Sequence, residues 1–425
     1  MCKQVELLLA GFRVPSMWSG CSHARSVLRL HIPIAMLAMT SALMPFTLSH
    51  AQAPESQRAA DDQLSTIERL LDAEYGKDDR GGFTFGLVRN GTLAWTHSAG
   101  FAEEDTKRAT VDNIYPIASA TKMLTGLMLL QLVERGQVHL SDPVEKYVPE
   151  TKRMVNPFPW SPPITLVQLA TMTAGIEAGV QVPNEIRAQV DAAPTWEQKI
   201  ALVIPYLKFR FEPGTARRYS NAGYTVLGLA LSRAAKRPYA DFVTEEILHP
   251  LEMNDSGFVI ARDKEERIVF GYPLKRRDAK PERAWNSPSM ILLPAAGLLT
   301  TVADLAKLMR FQLMGGVPRV LPDAALNASY QLLVPSDGDL QYGDGIGFSA
   351  VREGGSHFTA LGHGGAFPDG FTASYEFDRT TRTGVILLAN SIGGTAKYKT
   401  VVRKILELVN PTSGGGSGLA PLEEH

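Results

Sequence analysis

Apolar residues recur at helical spacing after an acidic start over 62–76 (Leu64, Ile67, Leu70, Leu71, Tyr75), which predicts an N-terminal helix. Two short β-prone runs follow, Phe83–Val88 and Leu93–Ser98, joined by Arg89-Asn90-Gly91-Thr92. Asn-Gly between such runs is a strong hairpin signal. From Thr121 to Glu134 apolar residues are so dense that the helix they predict is buried on nearly all sides. Residues 140–285 are rich in Pro, Ala and Leu, with helical stretches at 165–173, 196–206, 222–235 and 239–247. After a further helix over Ala303–Met314 the chain turns β-prone at Ile346–Arg352, His357–Leu361, Phe371–Phe377 and Val385–Asn390. An amphipathic helix, Lys397–Leu408, closes the pattern. This order predicts an α+β fold: one antiparallel sheet flanked by helices, built from 54–140 and 286–410, with a mainly helical region over 141–285 inserted between the two parts. The Gly/Ser-rich stretch in 411–425 reads as a flexible tail.

Composition narrows the partners. With 44% hydrophobic residues and a net charge of -1, the chain has ordinary globular chemistry and no bulk charge that favours nucleic acid or an anionic surface. Small neutral or weakly charged substrates fit better. The first 53 residues differ: Arg25, Arg29 and His31 lead into the apolar run Ile32–Leu48 and then Ser49-His50-Ala51-Gln52-Ala53, the layout of a cleaved secretory signal peptide. Pro33 and Pro45 interrupt a run already short for a membrane span, so no stable anchor is expected after cleavage. The expected location is periplasmic or secreted. Cys2 and Cys21 both lie inside this leader, which leaves the mature chain without a thiol nucleophile, thiolate metal site or disulfide.

Three short motifs carry chemistry. Ala118-Ser119-Ala120-Thr121-Lys122 opens the buried helix, and the three-residue spacing puts Ser119 and Lys122 on one face. An amine buried there loses its proton readily and can act as base toward the serine. In Tyr219-Ser220-Asn221, after Phe211-Glu212-Pro213-Gly214, a phenol near a cation can relay protons, and the amide two residues on can bond substrate or hold the lysine. In His363-Gly364-Gly365-Ala366, two glycines beside a strand let substrate approach the backbone, where an N–H can stabilise an oxyanion. Each motif alone has an ordinary structural explanation: a helix cap, a packed tyrosine, a turn.

The three in this order resemble the family of class C β-lactamases, D-alanyl-D-alanine carboxypeptidases and family VIII carboxylesterases. Flanking segments match as well: 164–169 running into Thr173-Ala174-Gly175, the stretch from Pro213-Gly214 to Gly228, His249-Pro250-Leu251-Glu252-Met253, and Pro294-Ala295-Ala296-Gly297-Leu298. The resemblance implies a β-lactamase/transpeptidase-like fold and a serine hydrolase working through an acyl-enzyme. In it Ser119 is acylated, Lys122 and Tyr219 share acid/base work, Asn221 contacts substrate, and the backbone N–H groups of Ser119 and Ala366 form the oxyanion hole. No cofactor and no metal are implied. His363 stands where β-lactamases usually carry the lysine of Lys-Thr-Gly. A largely neutral imidazole there offers less to a substrate carboxylate than an ammonium does.

That departure favours a carboxylesterase acting on short-acyl esters over a β-lactamase or a D-amino-acid-specific peptidase, although Arg217 or Arg218 facing the pocket would restore the charge. A slow-turnover protein that binds β-lactams or wall peptides is a further alternative. An α/β-hydrolase is disfavoured because the chain has no Gly-x-Ser-x-Gly. A metal hydrolase is disfavoured because His-Glu-x-x-His is absent and His97, His139, His249, His357 and His363 are scattered.

Overall fold

The computed structural model describes residues 55–332, 334–336, 339–351 and 359–410. The leader expected over 1–53, the tail at 411–425 and His357 lie outside the described residues. Among those described, nine strands form one antiparallel sheet: β1 (Gly82–Arg89), β2 (Thr92–Glu103), β3 (Lys107–Arg108), β4 (Val334–Ser336), β5 (Asp339–Asp344), β6 (Ser349–Val351), β7 (Ala360–Phe367), β8 (Phe371–Asp378) and β9 (Thr383–Ala389). Their spatial order is β3-β2-β1-β9-β8-β7-β6-β5-β4. β1 from the start of the chain therefore pairs with β9 from its end, from Phe83 opposite Ala389 to Arg89 opposite Thr383. The long segment between β3 and β4 is free to form a separate layer.

The helices are α1 (Glu55–Tyr75), α2 (Lys122–Glu134), α3 (Leu166–Ala170), α4 (Asn184–Ala192), α5 (Trp196–Val203), α6 (Asn221–Ala235), α7 (Tyr239–Val243), α8 (Leu293–Ala296), α9 (Val302–Met314), α10 (Asp323–Ser329) and α11 (Tyr398–Val409). The central strands are covered on both faces. Phe83, Phe85, Leu87, Val385 and Leu387 pack with Ile67 and Leu71 of α1 and Val402 and Ile405 of α11. Alternate residues, Ile386 and Leu388, join the larger core with α2, α6 and α9. Burial on both sides explains why β1 and β9 read as continuous apolar runs and not as alternating ones. The fold is the α+β, β-lactamase/transpeptidase-like arrangement expected.

Several expectations needed adjustment. The Asn90-Gly91 hairpin forms as read, with both residues at positive φ, but the first helix begins at Glu55 instead of residue 62. The stretch expected as helix over 165–173 keeps only five helical residues, and α4 was not expected at all. Val334–Ser336 and Asp339–Asp344 are strands that local pattern does not reveal, because Pro335, Gly338 and acidic residues carry little β propensity. The run expected at His357–Leu361 contributes β7, which begins at Ala360 and continues to Phe367, so the His-Gly-Gly motif lies within a strand and not beside one.

One side chain ties the sheet together at its centre. Asn390, fully buried at the end of β9, accepts from Gly82 N (2.6 Å) and donates to Phe101 O (3.0 Å), Ala102 O (3.2 Å) and Phe270 O (2.8 Å). It joins β9, β1, β2 and the small strand Phe270–Pro273. Replacing it by alanine leaves buried backbone groups without partners. Asn390→Ala is expected to lower the free energy of unfolding by roughly 2–4 kcal/mol, read as an earlier denaturant midpoint at unchanged slope.

Candidate active site

Ile117–Thr121 forms a tight turn into α2. Ala118 adopts a left-handed φ of +46°, an unfavourable conformation for a residue with a Cβ, and Ala118–Thr121 forms a single 3₁₀ turn before α2 begins at Lys122. Strand β7 lies directly against this turn. A Cβ on Gly365 would stand 2.0 Å from Ile117 O and 3.0 Å from Ser119 N, so only glycine allows the strand to approach so closely. The approach brings the His363–Ala366 segment beside the backbone of Ser119. Because β6 pairs only with residues 360–362 of β7, the 363–367 stretch has no partner on that edge from β6. Ser119, Tyr219, Asn221, His363, Gly364, Gly365 and Ala366 all line one cavity of about 530 Å³. Every site residue expected from the sequence other than Lys122 is among its walls, and Lys122 is bonded to one of them, Asn221.

Lys122 is completely buried. Its Nζ donates to Asn221 Oδ1 (2.6 Å) and to Ala295 O (2.9 Å), and lies 4.8 Å from the centre of the Tyr219 ring and 5.6 Å from that of Tyr224. Burial holds its pKa well below the ordinary 10.5. Both hydrogen-bond acceptors are neutral oxygens, so neither supplies the full counter-charge that would retain the proton. The amine is set up as a base.

Three separate elements must meet to build this arrangement. Ser220 caps α6, its Oγ accepting from Gly223 N (2.8 Å) and donating to Glu177 O (2.6 Å), which fixes Tyr219 and Asn221 on either side of the cap. In the middle of α6, Gly228 lets Pro294 pack where a Cβ would clash at 2.3 Å. That contact seats α8 so that Pro294 O accepts from Thr125 Oγ1 (2.6 Å) and Ala295 O from Lys122. Next along the chain, Leu298 N donates to Thr121 Oγ1 (3.1 Å) and Leu298 O accepts from Ile117 N (3.1 Å), so this segment braces both ends of the serine turn.

His363 is only 8% exposed. Burial is the main cause that pushes its pKa down to about 3, with a further lowering whenever Lys122 carries its proton, although a bond between Nδ1 and Gly364 O (2.6 Å) opposes the shift. With Nδ1 facing a carbonyl, the proton of the neutral ring belongs on Nδ1, leaving Nε2 as an acceptor. Arg217 and Arg218 part company. Arg218 is exposed, whereas Arg217 is paired with the buried carboxylate of Asp344.

The cavity also extends past the glycines of β7 to the opposite face of the sheet. There Glu376 of β8 accepts from Arg403 of α11 (2.5 and 2.7 Å), a largely buried ion pair, with exposed Lys399 nearby. Sequence reading missed Ala295, Asp344, Ser349, Glu376 and Arg403. Asp344, Ser349, Glu376 and Arg403 belong to no local motif, and Ala295, although inside the matching Pro294–Leu298 segment, contributes only a backbone oxygen.

Metal chemistry has one place to look among the described residues. Glu68, Asp72 and His97 present ligand atoms within 4.8 Å of one another. The carboxylates face different ring nitrogens, Asp72 at 2.7 Å from Nε2 and Glu68 at 4.0 Å from Nδ1, and Trp95 stacks on the ring. An imidazole held between two acids fits this geometry better than a single ion does, since one ion takes one ring nitrogen.

Comparison with known proteins supports the same picture. The Beta-lactamase family model matches residues 67–409. Protein flp of Staphylococcus aureus (strain N315) is 30% identical over 264 residues, covering 60% of this chain and 50% of that protein. The D-alanyl-D-alanine-carboxypeptidase/endopeptidase AmpH of Escherichia coli (strain K12) is 31% identical over 203 residues, covering 48% of this chain and 50% of that protein. The chain thus spans about half the length of these curated relatives. The structure of an octameric penicillin-binding protein homologue from Pyrococcus abyssi superposes with a TM-score of 0.66 at 22% identity, covering 82% of this chain and 77% of that one, a likeness of fold alone. With a family model matching along most of its length, the chain belongs to the Beta-lactamase family, whose members are typically serine hydrolases.

Proposed function

We propose that this protein is an exported serine carboxylesterase that cleaves short-acyl, uncharged esters through an acyl-enzyme on Ser119. The observation that carries the reading is the burial of two basic side chains at one site, which lowers the pKa of Lys122 well below its ordinary value and that of His363 to about 3. The first is poised to take a proton. The second offers no positive charge to a substrate carboxylate, and Arg217, which otherwise supplies one, is paired with Asp344.

In this mechanism Ser119 Oγ attacks the ester carbonyl carbon while its proton passes to the neutral Lys122 amine, with the Tyr219 phenol relaying it. Negative charge on the carbonyl oxygen is met by backbone N–H groups of Ser119 and Ala366. The bond to the alkoxy oxygen breaks as the relayed proton moves to it, releasing an alcohol. Water then attacks the acyl carbon, gives its proton to the same base, and the acid leaves as Ser119 Oγ is reprotonated. Asn221 keeps the lysine aimed throughout.

A second reading, a D-alanyl-D-alanine peptidase, is favoured by the AmpH relative and by exposed Lys399, which lines the cavity and can meet a terminal carboxylate. Relative turnover of p-nitrophenyl butyrate, a D-alanyl-D-alanine peptide and a chromogenic cephalosporin separates the two. A trap for β-lactams is recognised by acylation without sustained turnover. The partners on this reading are small-molecule esters, with no nucleic acid, and export follows from the leader-like first 53 residues.

Incubation with a fluorophosphonate is expected to place one adduct on Ser119 by peptide mass spectrometry, and Ser119→Ala is expected to lose both the adduct and ester hydrolysis; an unchanged rate in that variant refutes the mechanism. The pH profile tests the base. Lys122 works unprotonated, so kcat/KM is expected to fall as pH drops through its lowered pKa, and to hold above it. Lys122→Arg, protonated at every accessible pH, is expected to lose roughly 10²–10⁴-fold at all pH values. His363→Gln is expected to leave the acidic limb in place, because an imidazole with a pKa of about 3 does not titrate near neutrality.

A further inference from the structure

Arg217 stands two residues before Tyr219 and is, with exposed Arg218, one of the two cations that the sequence offers for a substrate carboxylate. Its side chain is 12% exposed and its partner, Asp344, only 4%. Asp344 ends β5 and lies opposite Ser349, the first residue of β6. Ser349 Oγ donates to Asp344 Oδ1 (2.7 Å), and Ser349 also faces the cavity beside Ser119, Tyr219 and His363. The acid is thus held from two sides, by strand pairing and by a hydroxyl.

We infer that Asp344 is a specificity-determining residue: by holding the Arg217 guanidinium at the end of β5, it withholds from the cavity the charge that a carboxylate-bearing substrate needs. Arginine's planar fork matches a carboxylate in two hydrogen bonds, so whichever carboxylate reaches it first keeps it. Here the carboxylate belongs to the protein. Both groups are largely buried, so removing one leaves the other as an uncompensated charge that must find a new partner. Arg217 is tied to the site through its partner, since Asp344 accepts from Ser349, which lines the cavity with Tyr219 and His363. Selection against charged substrates then comes from a cation neutralised in place, not from a repulsive group.

The inference rests on the neutral-ester reading above, and the test separates the two. Two phenyl esters of phenylacetylglycine serve as probes, one with phenol as leaving group and one with 3-hydroxybenzoate, which adds only a carboxylate. The quantity measured is the ratio of their kcat/KM values in one preparation, from which the fraction of folded enzyme cancels. Wild-type protein is expected to favour the uncharged ester; the opposite preference refutes the neutral-ester reading and leaves Asp344 to be judged separately by how the ratio shifts. Asp344→Asn is expected to move the ratio toward the charged ester by roughly tenfold or more, and adding Arg217→Gln is expected to restore the wild-type value. An unmoved ratio in Asp344→Asn, with the uncharged ester still cleaved, overturns the inference. Arg217→Gln alone gives an independent result even if Asp344→Asn does not fold: it removes the latent cation and unpairs the Asp344 carboxylate, so the ratio is expected to stay at the wild-type value or move toward the uncharged ester, and a shift toward the charged ester overturns the inference as well.

Discussion

The site depends on hiding the Lys122 amine. An ammonium without a counter-charge is costly to bury, so burial lowers the pKa of Lys122, and the surroundings satisfy the amine without creating a salt bridge. An amide oxygen from Asn221 and a carbonyl oxygen from Ala295 do this, with the Tyr219 ring alongside. Much of the helical layer follows from that requirement. The cap at Ser220 aims Tyr219 and Asn221, Gly228 admits Pro294, and α8 is thereby placed to present Ala295 O. A carboxylate in place of either oxygen would raise the lysine pKa again.

The sheet supplies the other half of the cavity. Strand β7 bears no bulky side chain where it crosses the serine turn, and the absence of β6 pairing beyond residue 362 leaves its backbone open to substrate. An open strand edge is a weak point, and the structure compensates on either side of it. Asn390 binds four backbone groups where β9 meets β1 and β2, and the buried Glu376–Arg403 pair fastens α11 across β8. Glu74 and Asp78, at and just past the end of α1, accept hydrogen bonds from the backbone of 395–397 leading into α11, joining the two ends of the described chain. Rigidity around the edge lets the edge itself stay accessible.

Local chemistry alone made a large part of this legible. The Asn90-Gly91 hairpin, the buried helix α2, the capped helix α6 and the three motifs carrying Ser119, Tyr219 and His363 depend on residues near one another in sequence, where period, turn chemistry and spacing act directly. Their order also made the family resemblance visible, and with it the fold. Local pattern failed where propensity is low and neighbours decide: β4 and β5, rich in Pro, Gly and acids, are strands because β6 pairs with β5 and β5 in turn with β4. The same holds for α4, whose short amphipathic pattern becomes a helix under the packing of Ile186 and Val190 into the core.

Sequence by itself determined the nucleophile, base and relay candidates and the substitution of histidine for lysine at 363, because those are matters of residue type and short-range spacing. Tertiary structure decided the state and reach of each. The depth at which Lys122 lies, the Ala295 oxygen that receives its hydrogen bond, the neutral form of His363 and the capture of Arg217 by Asp344 all depend on groups brought together from more than a hundred residues away, and charge state follows burial and partners that no local pattern encodes.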